Sequence, residues 1–276
     1  MQTIAVTGGS GKLGRRVVAA LQERQCEVVS LDRRESDLPC RQHRVDLSDF
    51  GQVKEALKGA DAVVHLAAIP SPNGFPNPVI FANNAVSTYH VLEAASLLGV
   101  RKVVSGSSES SYGFAWSPER LAPDYFPVDE EHPQRPSECY GLSKIVNELT
   151  GEMFHRRTGM QVVSMRYSTI MTMEEYGRMD TRDPRRYEKS MWSYIDIRDA
   201  ARATVAALEA DGLGAISLNV TADDTMSELP TEELLRICYP DVTARRASLE
   251  GRSAVVSNRL AKEKLGWLPL HSWQER

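Results

Sequence analysis

Tyr140 and Lys144 stand four residues apart in the run "YGLSK". On a helix that spacing puts both side chains on one face. A phenol is a poor base at neutral pH, because its ordinary pKa lies near 10. An ammonium beside it favours the phenolate. Lowering a phenol by about three pH units takes roughly 4 kcal/mol, at about 1.36 kcal/mol per unit. One partly desolvated pair at about 4 Å supplies energy of that order. Such a pair can take a proton from a hydroxyl group. A second stretch with chemistry in it is "SGSSESSYG", Ser105 to Gly113, with five serines and one glutamate behind the apolar run "RKVV". A hydroxyl at the end of a buried strand can hold a substrate oxygen and stabilise charge that develops there.

A third stretch supplies a place for an anion. "TGGSGKLG" sets Gly8, Gly11 and Gly14 in G-x-x-G-x-x-G spacing, between a strand-like run and an amphipathic one. Glycines let the backbone turn sharply there and approach a pyrophosphate held at a helix N-terminus. The strand–turn–helix context makes the motif a dinucleotide site. Asp32 closes the second strand, 18 residues past Gly14. A carboxylate at that place accepts hydrogen bonds from adenosine ribose hydroxyls and repels a 2′-phosphate. Arg33 and Arg34 follow at once, and an arginine there can hold such a phosphate. Asp32 weighs for NAD over NADP.

These groups need elements to position them. "TIAV", "EVVSL", "HRV", "AVVHLAA", "RKVVSG" and "QVVSMRY" read as six strands. Between them, "KLGRRVVAALQER", "DFGQVKEALKG", "NNAVSTYHVLEAASLLG" and "SECYGLSKIVNELTGEMFHRRTG" read as helices. The alternation predicts an α/β fold, a doubly wound parallel sheet of the Rossmann type. The strands are continuous apolar runs, as expected when helices cover both faces. After about residue 168 the rhythm loosens. The expected organisation is a NAD-binding domain over 1–168 that carries the acid–base residues. A small C-terminal substrate lobe follows over 169–276, with some segments returning to the main sheet.

Composition closes off several classes of function. The chain has 276 residues, 42% hydrophobic and 25% charged, with a net charge of −4. That balance is ordinary for one large globular unit and offers no basic field for nucleic acid or anionic lipid. No apolar run approaches the roughly 18–20 residues that span a bilayer. "MQTIAVTGG" enters a strand directly without a basic leader, so a cytoplasmic location is expected. Cys26, Cys40, Cys139 and Cys238 form no C-x-x-C pair, and no histidine pair has ligand spacing, so no metal site is expected.

Taken together, these motifs resemble the extended short-chain dehydrogenase/reductase family of NAD-dependent sugar epimerases, dehydratases and dehydrogenases. The likeness runs through "TGGSGKLG", "DLSD", "HLAA", "NNAVSTYHVLEAA", "SSESSYG", "YGLSK", "MRYST" and "YIDIRDAARA" to "KEKLGWLPLHSW". In length it is nearest the uronate dehydrogenase branch. The resemblance implies cofactor contacts from Gly8, Gly11, Lys12, Leu13 and Gly14, from Asp32 and Arg33, and from Asp46 and Leu47 at the adenine. It adds Leu66, Ala67, Ala68 and Asn84, then Tyr140 and Lys144, and Tyr167 and Thr169 at the nicotinamide end. The family places its catalytic hydroxyl four residues before the tyrosine of "YG", which singles out Ser108. Ser105 and Ser107 then satisfy backbone groups, and Ser111 is a turn residue, as is Ser110 unless it touches substrate.

The reaction is read from the same positions. Family dehydratases carry Thr-Asp-Glu where this chain has Ser108-Glu109-Ser110. Glu109 fills the aspartate place and Ser110 replaces the glutamate base, which disfavours elimination of water. The reading is an NAD-dependent dehydrogenase of a sugar, sugar acid or related polyol. The alternative is an NAD-dependent sugar or sugar-nucleotide epimerase, and a non-enzymatic NAD sensor is disfavoured because Ser108, Tyr140 and Lys144 are all present. Glu109, Ser110 and Arg178 are the candidate substrate contacts, the last from a charged segment that also holds Arg182, Arg185 and Arg186. Trp116, Tyr125 and Phe126, in a long insertion over 114–138, serve either as lid contacts or as packing for the loop. The resemblance also implies a homodimer, through helices at about 79–98 and 138–158.

Overall fold

In the computed structural model, which describes residues 2–275, the apolar runs line up as one parallel sheet. The chain runs β1 (Thr3–Thr7), α1 (Lys12–Glu23), β2 (Glu27–Asp32), β3 (Arg41–Arg44), α2 (Phe50–Ala56), β4 (Ala62–His65), α3 (Asn77–Leu97) and β5 (Lys102–Ser108). A 3₁₀ turn (Glu109–Tyr112), α4 (Cys139–Thr158) and β6 (Gln161–Tyr167) follow. Then come β7 (Thr169–Met171), α5 (Met173–Tyr176), β8 (Tyr194–Asp196), α6 (Ile197–Glu209), β9 (Ala215–Val220), α7 (Thr231–Cys238) and α8 (Arg259–Leu265). The sheet order is β3-β2-β1-β4-β5-β6-β9, with every pairing parallel. The order reverses direction between β1 and β4. A crevice outside the carboxyl ends of those strands is where such folds bind ligands.

Each face of the sheet has its own core. Leu13, Val17, Val18 and Leu21 of α1 pack with Ala200, Ala203 and Ala207 of α6 and with Trp267 on one side. Val53 of α2, Val91 and Leu92 of α3 and Phe154 of α4 close the other. Each buried Val, Leu or Phe contributes about 1.5–3 kcal/mol. That sandwich is why β1, β4 and β5 read as unbroken apolar runs. The third strand covers Arg41–Arg44 and not the "HRV" run at 43–45. It is an edge strand fixed by pairing with β2, not by its own hydrophobicity. No helix among the described residues is long and apolar enough to cross a membrane.

A third cluster joins Tyr112, Phe114, Phe126 and Val128 to Trp192, Tyr194, Tyr239 and Val255. The 114–138 insertion is therefore packed into the later segments. The backbone N–H of Phe126 donates to the Ala244 carbonyl at 3.1 Å, and that of Val128 to Val255 at 2.8 Å. Of the three aromatics read as possible lid contacts, Phe126 is fully buried and Tyr125 nearly so, which makes them packing residues. Trp116 alone stays exposed, at 40%. β7 and β8 form a separate parallel pair. That pair lies beyond the end of β6, where Ser168 N–H donates to Val220 O.

Candidate active site

The glycine turn has the shape its spacing predicts. Gly8 has φ +70, and a Cβ on it would lie 2.7 Å from the backbone nitrogen of Ala67. A Cβ on Gly14 would lie 2.8 Å from the Cα of Gly9. Neither position accepts a side chain, so α1 starts tight against β1 and the loop after β4. Gly11 is the N-cap of α1, and no side chain caps the helix there. The first-turn amides and the positive end of the helix dipole thus suit an anionic group. Asp32 organises the turn: its Oδ2 accepts from Ser10 N–H at 3.1 Å and its Oδ1 from Arg34 N–H at 3.2 Å. Each carboxylate oxygen keeps a lone pair free for a ribose hydroxyl. These features fit a dinucleotide.

Other expected cofactor residues divide. Leu66 and Ala67 hang on Thr7, through its carbonyl at 3.1 Å and its Oγ1 at 3.3 Å, which sets the wall beside Gly8. Ala68 follows directly on Ala67, and Leu47 is buried, its carbonyl 2.9 Å from His90 Nδ1. Arg33 pairs with Asp46 at 3.0 Å. Hydrogen bonds from Ser48, and then from Arg33, hold Asp46 down to about 2. Asn84, read as a cofactor contact, has both ends of its amide on Ile69, at 2.8 and 3.0 Å. It fixes the loop after β4. Lys12 gives its ammonium to Glu175 and to the Ile170 carbonyl at 2.7 Å, strapping α1 to β7 and α5. The Tyr167 hydroxyl is taken by Thr204 at 2.6 Å, and Thr169, two residues on, is exposed.

The acid–base group sits at the carboxyl end of β5. Glu138 caps α4 by accepting from Tyr140 N–H at 2.5 Å and Gly141 N–H at 2.7 Å, which fixes the first turn that carries Tyr140. The Tyr140 phenol lies near enough to the Ser108 hydroxyl to be influenced by it. Lys144 sits one turn along the same face, its Nζ 5.4 Å from the Tyr140 ring centre. All three residues are buried. In the chain by itself, burial works against the shift expected from the ammonium and a positive nicotinamide ring together. Burial pushes the Tyr140 phenol up to about 12, offset by the Ser108 hydroxyl and worsened by Glu138 and Glu109. Lys144 spends a hydrogen on the Gly106 carbonyl at 2.7 Å. Burial brings its own pKa down to about 8, against the pull of Glu148. In this chain by itself, desolvation outweighs the ammonium.

The candidate substrate contacts also divide. Ser110 faces the site: its Oγ accepts from Ser108 Oγ at 3.2 Å and from the Trp116 indole N–H at 3.1 Å. Glu109 does not hang free as a polar contact. Its carboxyl meets Ser193 Oγ and the Thr169 backbone, and burial of that end lifts it to about 8. Arg178 is exposed just past α5 and makes no ion pair among the described residues, whereas Arg185 reaches Glu188 at 3.8 Å.

Sequence reasoning passed over two groups. Arg166 and Glu148 form a buried pair at 2.7 Å directly under the serine turn. His65 is buried between Thr7 at 2.7 Å and Thr88 at 3.0 Å. A lone Glu on a long helix and an Arg inside an apolar strand carry no local signal of pairing.

Comparison with known proteins agrees with this geometry. Residues 4–220 match the NAD dependent epimerase/dehydratase family. An L-arabinose 1-dehydrogenase (NAD(P)(+)) of Haloferax volcanii is 33% identical over 247 residues, 87% of this chain and 96% of that protein. A UDP-glucose 4-epimerase of Corynebacterium glutamicum is 26% identical, over 98% of this chain and 91% of its own. Among solved structures, a short-chain dehydrogenase/reductase superfamily protein from Agrobacterium tumefaciens with bound NAD superposes at TM-score 0.77. It is 23% identical over 99% of this chain and 94% of that one. The fold and the crevice define a Rossmann-type dinucleotide-binding protein. The chain belongs to the NAD-dependent epimerase/dehydratase family and is an NAD-dependent enzyme of the extended short-chain dehydrogenase/reductase type.

Proposed function

We propose that the protein is an NAD-dependent dehydrogenase of a free sugar or sugar acid, using Ser108, Tyr140 and Lys144. The observation that carries this reading is the nearness of the Ser108 and Tyr140 hydroxyls beside Lys144, at the strand end that faces the glycine turn. Ser108 holds the substrate oxygen, with Ser110 and Trp116 as the adjoining wall. Tyr140 removes the hydroxyl proton as the C–H bond breaks. Lys144 keeps a positive charge on the phenolate side and orients the ribose of the cofactor. When bound, NAD accepts the hydride, and its positive ring favours the phenolate that burial alone opposes. The Gly8–Gly14 turn and the first-turn amides of α1 hold the pyrophosphate, and Asp32 holds the ribose.

Residues 1–168 bind the cofactor in this reading. Those after 168, joined by the 114–138 insertion, cover the substrate. Asp32 selects NAD, and the Arg33–Asp46 pair keeps one arginine occupied that would otherwise attract a 2′-phosphate. We further assign a homodimer that docks α3 and α4, since Val79, Val86, Tyr89 and Leu97 of α3 and Leu142 and Leu149 of α4 are exposed apolar residues. The unpaired thiols suit a cytoplasmic enzyme.

The epimerase reading is supported by the likeness over 98% of this chain to a UDP-glucose 4-epimerase. The dehydrogenase reading is favoured by higher identity, 33%, to the arabinose dehydrogenase, of which 96% is covered. A panel of L-arabinose, uronic acids and UDP-sugars decides between them. Free NADH from a sugar or sugar acid is the expected result. An isomerised UDP-sugar with no free NADH overturns the dehydrogenase reading.

A further inference from the structure

A serine hydroxyl carries one hydrogen, and Ser193 faces two acceptors. Its Oγ meets the carboxyl of Glu109 and lies 2.6 Å from the carbonyl oxygen of Ser190. A carbonyl only accepts, so at that distance the Ser193 hydrogen lies on the Ser190 side. The Ser193–Glu109 contact then needs a hydrogen from Glu109. We propose that Glu109 works as a neutral carboxylic acid that donates to Ser193, and that this chain of two hydrogen bonds latches the Ser108 turn to the β7–β8 pair. Glu109 is thereby a positioning residue for Ser108, its immediate neighbour.

The surroundings favour the neutral form. The same carboxyl accepts from the backbone of Thr169 at the head of β7, which ties a third segment to the turn. The Thr169 bond by itself favours the charged form, and burial outweighs it. The titratable groups that face it are Tyr140 on α4, Tyr112 on its own turn and Lys189 ahead of β8. Lys189 gives its ammonium to the carbonyls of Ser117 and Pro118, at 2.8 and 3.4 Å, and not to Glu109. Among the described residues Glu109 makes no ion pair. Ionisation would leave Ser193 one hydrogen short, so either Ser190 or Glu109 would lose its bond. It would also place a bare negative charge near Tyr140, which disfavours the phenolate.

The consequence for activity rests on the reading of Ser108 given above, whereas the protonation state does not. Infrared spectroscopy of the whole protein reads that state directly, as the carbonyl stretch of a protonated carboxylic acid. The band should be present at neutral pH, vanish as pH is raised, and be missing from Glu109→Gln. Ser193→Ala removes the acceptor and should move the midpoint to lower pH. If Ser193 were instead the donor to a carboxylate, its removal would move the midpoint higher. In turnover, Glu109→Gln should stay within about threefold of the parent kcat, since an amide also donates, while Glu109→Ala should lose more than about tenfold with KM for NAD unchanged. Absence of the band at neutral pH, an upward midpoint in Ser193→Ala, or a Glu109→Gln variant as impaired as Glu109→Ala overturns the proposal. A protein that keeps the band but oxidises no sugar overturns the functional reading and leaves this one standing.

Discussion

Removing Glu148 should cost far more than removing an ordinary surface carboxylate. Glu148 and Arg166 are each only 6% exposed, with Nη2 and Oε2 2.7 Å apart. Glu148 also accepts from Ser107 Oγ at 2.5 Å and from Gln134 at 3.1 Å. Arg166 donates to the Tyr112 hydroxyl at 2.9 Å, and that hydroxyl donates to Asn219 at 2.8 Å. Glu148→Ala strands a buried guanidinium, a loss of about 3–5 kcal/mol. That is a large share of the roughly 5–15 kcal/mol that holds a domain folded. For a chain of this size, about 2 °C of Tm per kcal/mol gives a fall of about 6–10 °C. Ser107 loses its partner next to Ser108, so kcat should fall as well. Thermal and urea unfolding read the stability. Glu148→Leu combined with Arg166→Met should recover most of it, because a well-packed apolar pair avoids the desolvation cost. A Tm change under about 2 °C for Glu148→Ala, or a double variant no better than the single, refutes the reasoning.

Lys144→Met should stabilise the protein while abolishing turnover: the fall of Lys144 from 10.5 to about 8 corresponds to about 3 kcal/mol at about 1.36 kcal/mol per pH unit. The penalty is fully present below about pH 8 and is relieved as pH climbs towards the unfolded value, so the parent should gain stability over that window and the variant should not. His65 is held neutral by burial, down from 6.5 to about 3. The unfolded chain takes up that proton first, so stability should be lost as pH falls below about 6.5, and His65→Gln should flatten the loss in urea midpoints compared at neutral and acid pH. Asp32→Ala should shrink the ratio of kcat/KM for NAD over NADP by more than about tenfold, since the carboxylate that repels the 2′-phosphate is gone.

The parts of the site set by local chemistry were legible in the sequence. The Gly8–Gly14 turn, Asp32 at the end of β2, and Tyr140 and Lys144 on one helix face all depend on short spacings, and the structure builds each of them. Interactions across long sequence distances were not legible. Lys12 finds Glu175, 163 positions away, and Phe126 pairs with a strand-like segment near Arg245. The burial that opposes the Tyr140 shift was not legible for a related reason. Charge proximity can be read from an i, i+4 spacing, but the depth of burial that opposes it is made by the whole fold. Asn84 and Tyr167 carry the right residue types at the right places, yet tertiary partners consume their polar ends.

The catalytic reading stands or falls on Tyr140. Tyr140→Phe keeps the ring that packs at the start of α4 and deletes only the hydroxyl that lies near Ser108. With the sugar or sugar acid that gives the fastest NADH release, the variant should bind NAD as the parent does while kcat falls by about 10²–10⁴. A Tyr140→Phe enzyme that releases NADH at the parent rate contradicts it.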